Sequence, residues 1–251
     1  MKLSKILSIS LIGGGFASPI FLQTSCSCSS SKEEPWVPYL GEEIYKWDVD
    51  TTTKISSLTN EAKTNIEQYI TEQYNCFAIP NRVTEIAGQV FSDHVGQLNY
   101  LPKNIKYLSL GDPNSDEVSK CSSVAAYNFE YNRNLISVNF SKAENLQVLG
   151  AYLFRDCSNI QSITLPGSIK KINNGCFYGC KNLKSITFNN LNEIIKWTFD
   201  DSTYKAQFDG LPEHGTIYIR GTADIQEFKN MLLETCDGAQ VFNTWTFKKI
   251  K

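Results

Sequence analysis

The chain has 251 residues, of which 41% are hydrophobic and 20% are charged, and its formal net charge is −2. This length allows a substantial hydrophobic core, and the nearly balanced charge excludes the strongly basic surface that nucleic-acid binding requires. The composition is typical of an ordinary globular or repeat protein.

The amino terminus has the pattern of a signal peptide. Met1–Lys5 is basic, and the uncharged segment that follows ends in small residues immediately before Cys26. This order resembles a mycoplasma-type bacterial lipoprotein signal, which implies removal of residues 1–25, lipidation of Cys26 and attachment to the extracellular face of the cell membrane. An uncleaved anchor or simple secretion is the alternative. The serine-rich, charged residues 26–35 predict a flexible tether.

Residues 36–76 predict an aromatic segment followed by a helix. Thr59 can cap this helix, and apolar residues recur at four-residue steps from Leu58 to Tyr74. We expect a helix over about 59–75 whose single apolar stripe covers the first open end of the structure that follows, as an N-terminal helical cap.

A repeated hydrophobic pattern occupies residues 77–202. Phenylalanine recurs at the same place in each copy, namely at Phe91, Phe129, Phe154, Phe177 and Phe199. The spacings are 38, 25, 23 and 22 residues, and such a period is typical of a solenoid, because units this short bury their apolar sides only by stacking. The first spacing predicts an insertion, which we place in the polar loop 111–120. For the strand of that unit we favour Ile105–Leu110 over Leu101–Pro102.

The run LPGSIKKINNGCFYGCKNLKSITF, residues 165–188, shows the pattern most clearly. It resembles the BspA-like subclass of leucine-rich repeats. The resemblance implies an α/β solenoid with short stacked parallel strands, and relatives of this kind are surface or secreted proteins that bind host components and other cells. We therefore expect a non-catalytic binding or adhesion module for a host protein or a glycan. The alternatives are a structural coat or immune-decoy antigen without a dedicated ligand, and a hydrolase hidden in a terminal segment.

Beyond residue 202 the period is lost. Gly215–Ile219 predicts a last strand, Thr222 can cap a helix, and Trp245 and Phe247 alternate with threonines in a terminal strand. We expect residues 203–251 to form a C-terminal α/β cap.

The best candidates for a binding site are the outward-facing residues of the repeated strands. Alternation along each strand places them in two columns that are rich in hydroxyl groups and suited to hydrogen bonds with a peptide or glycan. The first column is Tyr107, Ser137, Ser162, Ser185 and Thr216. The second column is Ser109, Asn139, Thr164, Thr187 and Tyr218. Serine and threonine are also frequent on exposed strands that bind no ligand, so a binding site at these columns is a hypothesis.

The sequence contains no catalytic or phosphate-binding motif, and we expect neither enzyme activity nor a cofactor. Its two histidines, His94 and His214, are 120 residues apart, and His94 occupies the repeat corner that Cys157 and Cys180 occupy in later copies. Buried free thiols explain Cys157, Cys176 and Cys180 better than a metal site does, because no second pair completes a zinc-binding spacing. A Cys157–Cys180 disulfide is also sterically compatible with stacked coils.

Overall fold

The computed structural model describes residues 45–47, 53–69, 75–112, 115–194, 206–236 and 238–251. The predicted signal peptide, Cys26, the tether, residues 70–74 of the predicted first helix and Phe199 lie outside the described residues. The elements in chain order are β1 (Tyr45–Trp47), β2 (Lys54–Leu58), α1 (Asn60–Tyr69), β3 (Cys76–Ile79), β4 (Glu85–Ile86), β5 (Ser92–Asp93), β6 (Leu98–Asn99), β7 (Tyr107–Leu110), β8 (Ser123–Val124), β9 (Ser137–Asn139), β10 (Val148–Leu149), β11 (Ser162–Pro166), β12 (Lys171–Ile172), β13 (Ser185–Asn189), β14 (Thr216–Arg220), α2 (Ile225–Thr235) and β15 (Thr246–Ile250). A 3₁₀ helix, Ala239–Asn243, precedes β15. Within these ranges no helix is both long enough and apolar enough to cross a membrane.

Two sheets run along the stacked coils. In the described part of the chain, the first sheet has seven parallel strands in the order β3, β7, β9, β11, β13, β14 and β15. The second sheet places the two-residue strands β4, β8, β10 and β12 in parallel, with β2 beside β4 and β1 antiparallel to β2. The chain therefore passes once through each sheet in every regular coil.

Alternating side chains explain why the strands of the first sheet form. In β11, Ile163 and Leu165 are buried while Thr164 is partly exposed, and Ile163 pairs with Ile186 of β13. Because successive side chains point to opposite faces, one face of the sheet becomes the core and the other an outer surface.

A column of phenylalanine rings runs along the core. Its buried members are Phe91, Phe129, Phe154, Phe177 and Phe208. Successive ring centroids are 5.2, 5.6, 5.8 and 5.6 Å apart, and no interplanar angle exceeds 18°. These are the distances of favourable offset stacking, so each coil contributes one ring to a continuous apolar spine.

Phe208 occupies the place in this column that the fixed spacing assigns to Phe199. The Phe177 N–H donates to the carbonyl of Gln207 at 3.0 Å, just as the Phe154 N–H donates to Cys176 at 2.8 Å. Phe208 also precedes its strand, β14, by eight residues, as do the phenylalanines before β9, β11 and β13. The coil geometry therefore continues past residue 202. A constant period does not predict this coil, because Phe208 follows Phe177 by 31 positions instead of 23.

Two insertions account for the 38-residue spacing between Phe91 and Phe129. The start of β7 lies 16 positions after Phe91, whereas the corresponding strand of a regular coil starts 8 positions after its phenylalanine. The eight extra residues include the antiparallel hairpin of β5 and β6. The start of β8 lies 16 positions after the start of β7, whereas the start of β12 lies 9 positions after that of β11. The predicted loop 111–120 provides the seven extra residues. Tyr107–Leu110 is the strand of this unit, as predicted.

Different elements close the two ends. Thr59 caps α1, because its hydroxyl accepts the Ala62 N–H at 3.1 Å, and Leu58 and Ala62 join the core. At the other end Asp224, not the predicted Thr222, caps α2 by accepting the Glu227 N–H at 2.9 Å. The Thr222 hydroxyl instead donates to the carbonyl of Asn192 at 3.2 Å, since the helix begins only at Ile225.

Candidate interaction surfaces

The two predicted columns lie in register across the first sheet. Successive Cα partners along the first column are Tyr107, Ser137, Ser162, Ser185 and Thr216. Along the second they are Ser109, Asn139, Thr164, Thr187 and Tyr218. Nine of these ten residues are half-buried, so the columns lie on the outer surface of the sheet, and we call the nine the strand face.

Ser109 does not belong to the strand face. Its side chain is fully buried, and its hydroxyl donates to the carbonyl of Gly111 at 2.8 Å. The inserted loop covers this end of the sheet, where Asp112 and Ser115 line a cavity of about 380 Å³ together with Ala78. The insertion thus removes a position that strand alternation alone predicts to be exposed.

Part of the hydrogen-bonding capacity of the strand face is used within the protein. The Ser162 hydroxyl donates to that of Ser137 at 3.0 Å, and Asn139 Oδ1 accepts both the N–H and the hydroxyl of Ser141, at 3.0 and 2.7 Å. Tyr107 and Tyr218 stand at opposite ends of the columns. The face therefore combines a fixed polar centre with an aromatic residue at each end.

A second surface, which strand alternation does not predict, lies on the turns that carry the phenylalanine column. We call it the turn face, and it consists of His94, Tyr127, Glu130, Tyr131, Tyr152, Arg155, Asp156 and Tyr178. Within these turns, the residues two places before and two places after the phenylalanine have positive φ, with values of 65° at Tyr127, 58° at Tyr131, 55° at Tyr152 and 56° at Asp156. The coil of Phe177 has glycines, Gly175 and Gly179, at the same two places.

This backbone geometry is unfavourable for tyrosine. The left-handed conformation costs a residue with a Cβ atom roughly 1–2 kcal/mol, whereas glycine adopts it freely. Tyr127, Tyr131 and Tyr152 nevertheless occupy such positions in two adjacent coils. Gln89 and Ala206 also have positive φ two places before Phe91 and Phe208, so this conformation belongs to the repeated turn, and the surrounding coil maintains it.

The rings of the turn face stack on one another along the solenoid. The His94 ring centroid lies 4.1 Å from that of Tyr127, and Tyr127 stacks on Tyr152 at 5.4 Å with an interplanar angle of 10°. A Cβ atom on Gly175 would lie 2.5 Å from the Tyr152 ring, so only glycine allows that ring to rest on the next coil. His94, Tyr152 and Gly175 therefore cover much of the two tyrosine rings, which are half-buried.

A buried carboxylate lies beneath these rings. The Glu130 side chain is fully buried, and its Oε1 and Oε2 atoms lie 2.9 and 3.1 Å from His94 Nδ1. Burial raises the pKa of Glu130, although the His94 hydrogen bond and the positive charges of His94 and Arg155 oppose this shift. Burying a carboxylate is costly unless it is paired, so the His94 contact stabilises this part of the fold.

Arg155 connects three coils of the turn face. Its guanidinium carbon lies 5.5, 5.4 and 6.0 Å from the ring centroids of Tyr131, Tyr152 and Tyr178, within the range of cation–π attraction. Its Nε atom is 3.5 Å from Asp156 Oδ2. About a third of the Arg155 side chain remains exposed, so this surface presents a cation beside three aromatic rings.

The cysteine side chains do not form a reactive site. All six cysteines of the described ranges are buried and free, which agrees with the prediction of buried free thiols. The thiols of Cys157 and Cys180 donate to the carbonyls of Phe129 and Phe154 at 2.9 and 3.1 Å. Burial raises the pKa of Cys121 to about 12 and also raises the pKa values of Cys157 and Cys180, which suppresses the nucleophilic thiolate. Among the described residues, no group of three or more His, Cys, Asp or Glu is arranged to hold a metal ion.

Residues 115–217 match the family model described as BspA type leucine-rich repeat region, in six copies. The coils of this range therefore match the BspA-type repeat pattern, and their fold is that of a leucine-rich repeat. The predicted fold class, a leucine-rich-repeat solenoid of short parallel strands, is confirmed. Repeats of this family are typically non-catalytic and generally mediate protein interactions.

One solved structure that matches is a leucine-rich repeat protein from Bacteroides ovatus ATCC 8483, with 17% sequence identity and a TM-score of 0.38. The match covers 70% of the present chain and 42% of that one, so the chain spans about two fifths of that protein's length. Comparison with curated proteins gave no match.

Proposed function

We propose that this protein is a lipid-anchored binding module of the cell surface, which adheres to a host protein or glycan through the strand face of its leucine-rich repeats. The observation that carries the proposal is the register of the columns. Strand-face residues on β7, β9, β11, β13 and β14 are direct Cα partners across the first sheet. Hydrogen-bonded strands hold these side chains in place before a partner arrives, so little ordering cost accompanies binding.

The anchor part of the proposal rests on the amino-terminal sequence. Basic Met1–Lys5, the uncharged segment after it and the small residues before Cys26 resemble a bacterial lipoprotein signal, which supports processing and lipid attachment at Cys26. Two acyl chains on Cys26 would hold the protein on a membrane far longer than one, at about 0.8 kcal/mol per buried methylene. The serine-rich residues 26–35 would then separate the repeats from the lipid surface.

Replacing Thr164 and Thr187 with glutamate is expected to abolish adhesion, because it places two carboxylates at the centre of the strand face, where a partner would have to desolvate them. The measurement is the binding of individual purified extracellular-matrix and serum proteins, and of arrayed glycans, to cells that display the protein. The matched control is Ser122→Glu with Gln147→Glu, which adds the same charge at exposed positions just before β8 and β10 of the second sheet. Equal binding by the strand-face variant and the wild type would eliminate this face.

The same cells test the anchor. Cys26→Ser removes the thiol that receives the lipid, so we expect the protein to leave the membrane fraction. A Cys26→Ser protein that stays with the membrane would contradict lipid attachment at this position.

A further inference from the structure

We propose that the turn face and the hairpin of β5 and β6 together form a second interaction surface, which binds a folded protein by inserting Val95 and Leu98 into an apolar cleft of that protein. This inference rests on the proposed binding function. It adds a site on another side of the solenoid, and it selects a protein over a glycan as the partner of that site.

The hairpin carries apolar side chains that the fold does not bury. Val95 is 89% exposed and Leu98 is 54% exposed. Among the described residues the only other large hydrophobic side chain with comparable exposure is Val118, at 41%, in the second insertion. Single exposed apolar residues are common, but two of them three positions apart on an eight-residue insertion form a small apolar tip. The regular coils complete their packing without this insertion, so the tip has no role in closing the core.

The hairpin is fixed to the coil beside it. His94 pairs with buried Glu130, and Asn99 Nδ2 donates to the Glu130 carbonyl at 3.3 Å. The Ser92 hydroxyl donates to the carbonyl of Tyr127. At the tip, Asp93 Oδ1 accepts the N–H groups of Val95 and Gly96, each at 3.1 Å, which fixes the turn that displays Val95. A tip held in this way binds without a large loss of conformational entropy.

The tip is continuous with the aromatic part of the turn face. His94, one residue before Val95, packs against Tyr127 at an interplanar angle of 36°, and Tyr127 stacks on Tyr152. Arg155 then joins Tyr152 to Tyr131 and Tyr178. Tyrosine and arginine are enriched at the centres of protein interfaces, where they supply most of the binding energy.

The geometry favours a protein over the other classes of partner. Aromatic residues that bind sugars present an open ring face, but the Tyr127 ring packs against His94 and Tyr152, and the Tyr152 ring also lies against Gly175. The partly exposed carboxylates of Asp93 and Asp156 outnumber the guanidinium of Arg155, which disfavours a polyanionic ligand. An apolar tip beside half-buried tyrosines and one partly exposed cation fits a protein surface that offers an apolar cleft rimmed by hydrogen-bonding groups.

The test is Val95→Asp with Leu98→Asp in the full chain, displayed on cells and probed with the same purified matrix proteins, serum proteins and glycans. Because both side chains are exposed, the variant should retain the melting temperature of the wild type. We expect the Kd for a protein bound by the wild type to rise at least tenfold. Val118→Asp, which charges the exposed apolar residue of the other insertion, should leave that Kd unchanged.

The possible outcomes are distinct. Unchanged protein binding by the hairpin variant, with loss in the Thr164→Glu, Thr187→Glu variant, would overturn this inference and leave the proposed function intact. Binding of glycans alone would overturn the assignment of a protein partner. If the wild type binds none of the probes, both the inference and the proposed function fail. Loss of protein binding in the hairpin variant with retention in the Val118→Asp control would support the inference.

Discussion

Replacing Phe154 with alanine is expected to lower the free energy of unfolding by about 3–5 kcal/mol. The ring is fully buried and lies between Phe129 at 5.6 Å and Phe177 at 5.8 Å, with Phe140 at 5.9 Å. Because each coil of a solenoid contacts only its neighbours, a cavity at this position weakens the interfaces on both sides of the coil. Urea unfolding followed by circular dichroism measures the loss. The two proteins are compared with the same slope of unfolding free energy against urea concentration.

Phe154→Leu is the matched control for this change. Leucine fills much of the same space, so the loss should stay below about 1.5 kcal/mol. A loss below about 1 kcal/mol for Phe154→Ala would show that the ring does not sit in a closed column.

Replacing His94 with alanine is expected to destabilise the protein by about 2–3 kcal/mol, because it leaves the buried Glu130 carboxylate without its partner. Glu130→Gln in the same chain should recover most of this loss, since a neutral amide is much less costly to bury than a carboxylate. The free energies of the two single variants and the double variant form a cycle that isolates the His94–Glu130 interaction. If the free-energy changes of the two single variants add up to that of the double variant, the His94–Glu130 contact would be contradicted.

The pH dependence of Glu130→Gln supplies a second readout. Burial raises the pKa of Glu130 above its ordinary value of 4.5, against the opposing effects of His94 and Arg155 and together with the repulsion from Asp156. The folded state therefore favours the protonated carboxyl, so the contribution of this group is fully present below pH 4.5 and is lost as the pH rises through the raised pKa. Glu130→Gln should match the wild type in stability at pH 4 and exceed it at pH 7. Parallel stability curves for the two proteins would contradict the raised pKa.

The hydrophobic period was sufficient to predict the stacked strands and most of the phenylalanine column. Spacing encodes both directly, because residues at equal offsets in successive coils meet in the core. The period failed where the chain departs from it. Phe208 could not be found at a fixed offset because eight additional residues separate it from Phe177, compared with the 23-residue step before it. The β5–β6 hairpin has no counterpart in other coils and so carried no periodic signal.

The two candidate surfaces differ in how far the sequence reveals them. Strand alternation predicted the columns, and it was wrong at Ser109 only because an inserted loop folds over that residue. A signal for the turn face was present, since Tyr127 and Tyr152 each precede a column phenylalanine by two residues. The burial of Glu130 was not predictable in this way, because its partner His94 is 36 residues away on the inserted hairpin.

Disulfide crosslinking of Thr187→Cys with Tyr218→Cys tests the continuous solenoid most directly. These residues are Cα partners on neighbouring parallel strands, β13 and β14, although 31 positions separate them in the chain. Parallel strands lie about 4.8 Å apart, within the Cα separation that a disulfide spans. We expect mild oxidation to join the pair as efficiently as Thr164→Cys with Thr187→Cys, which links β11 to β13. A bridge in that reference pair but none between positions 187 and 218 would show that the repeat ends before residue 206 and would contradict the continuous solenoid.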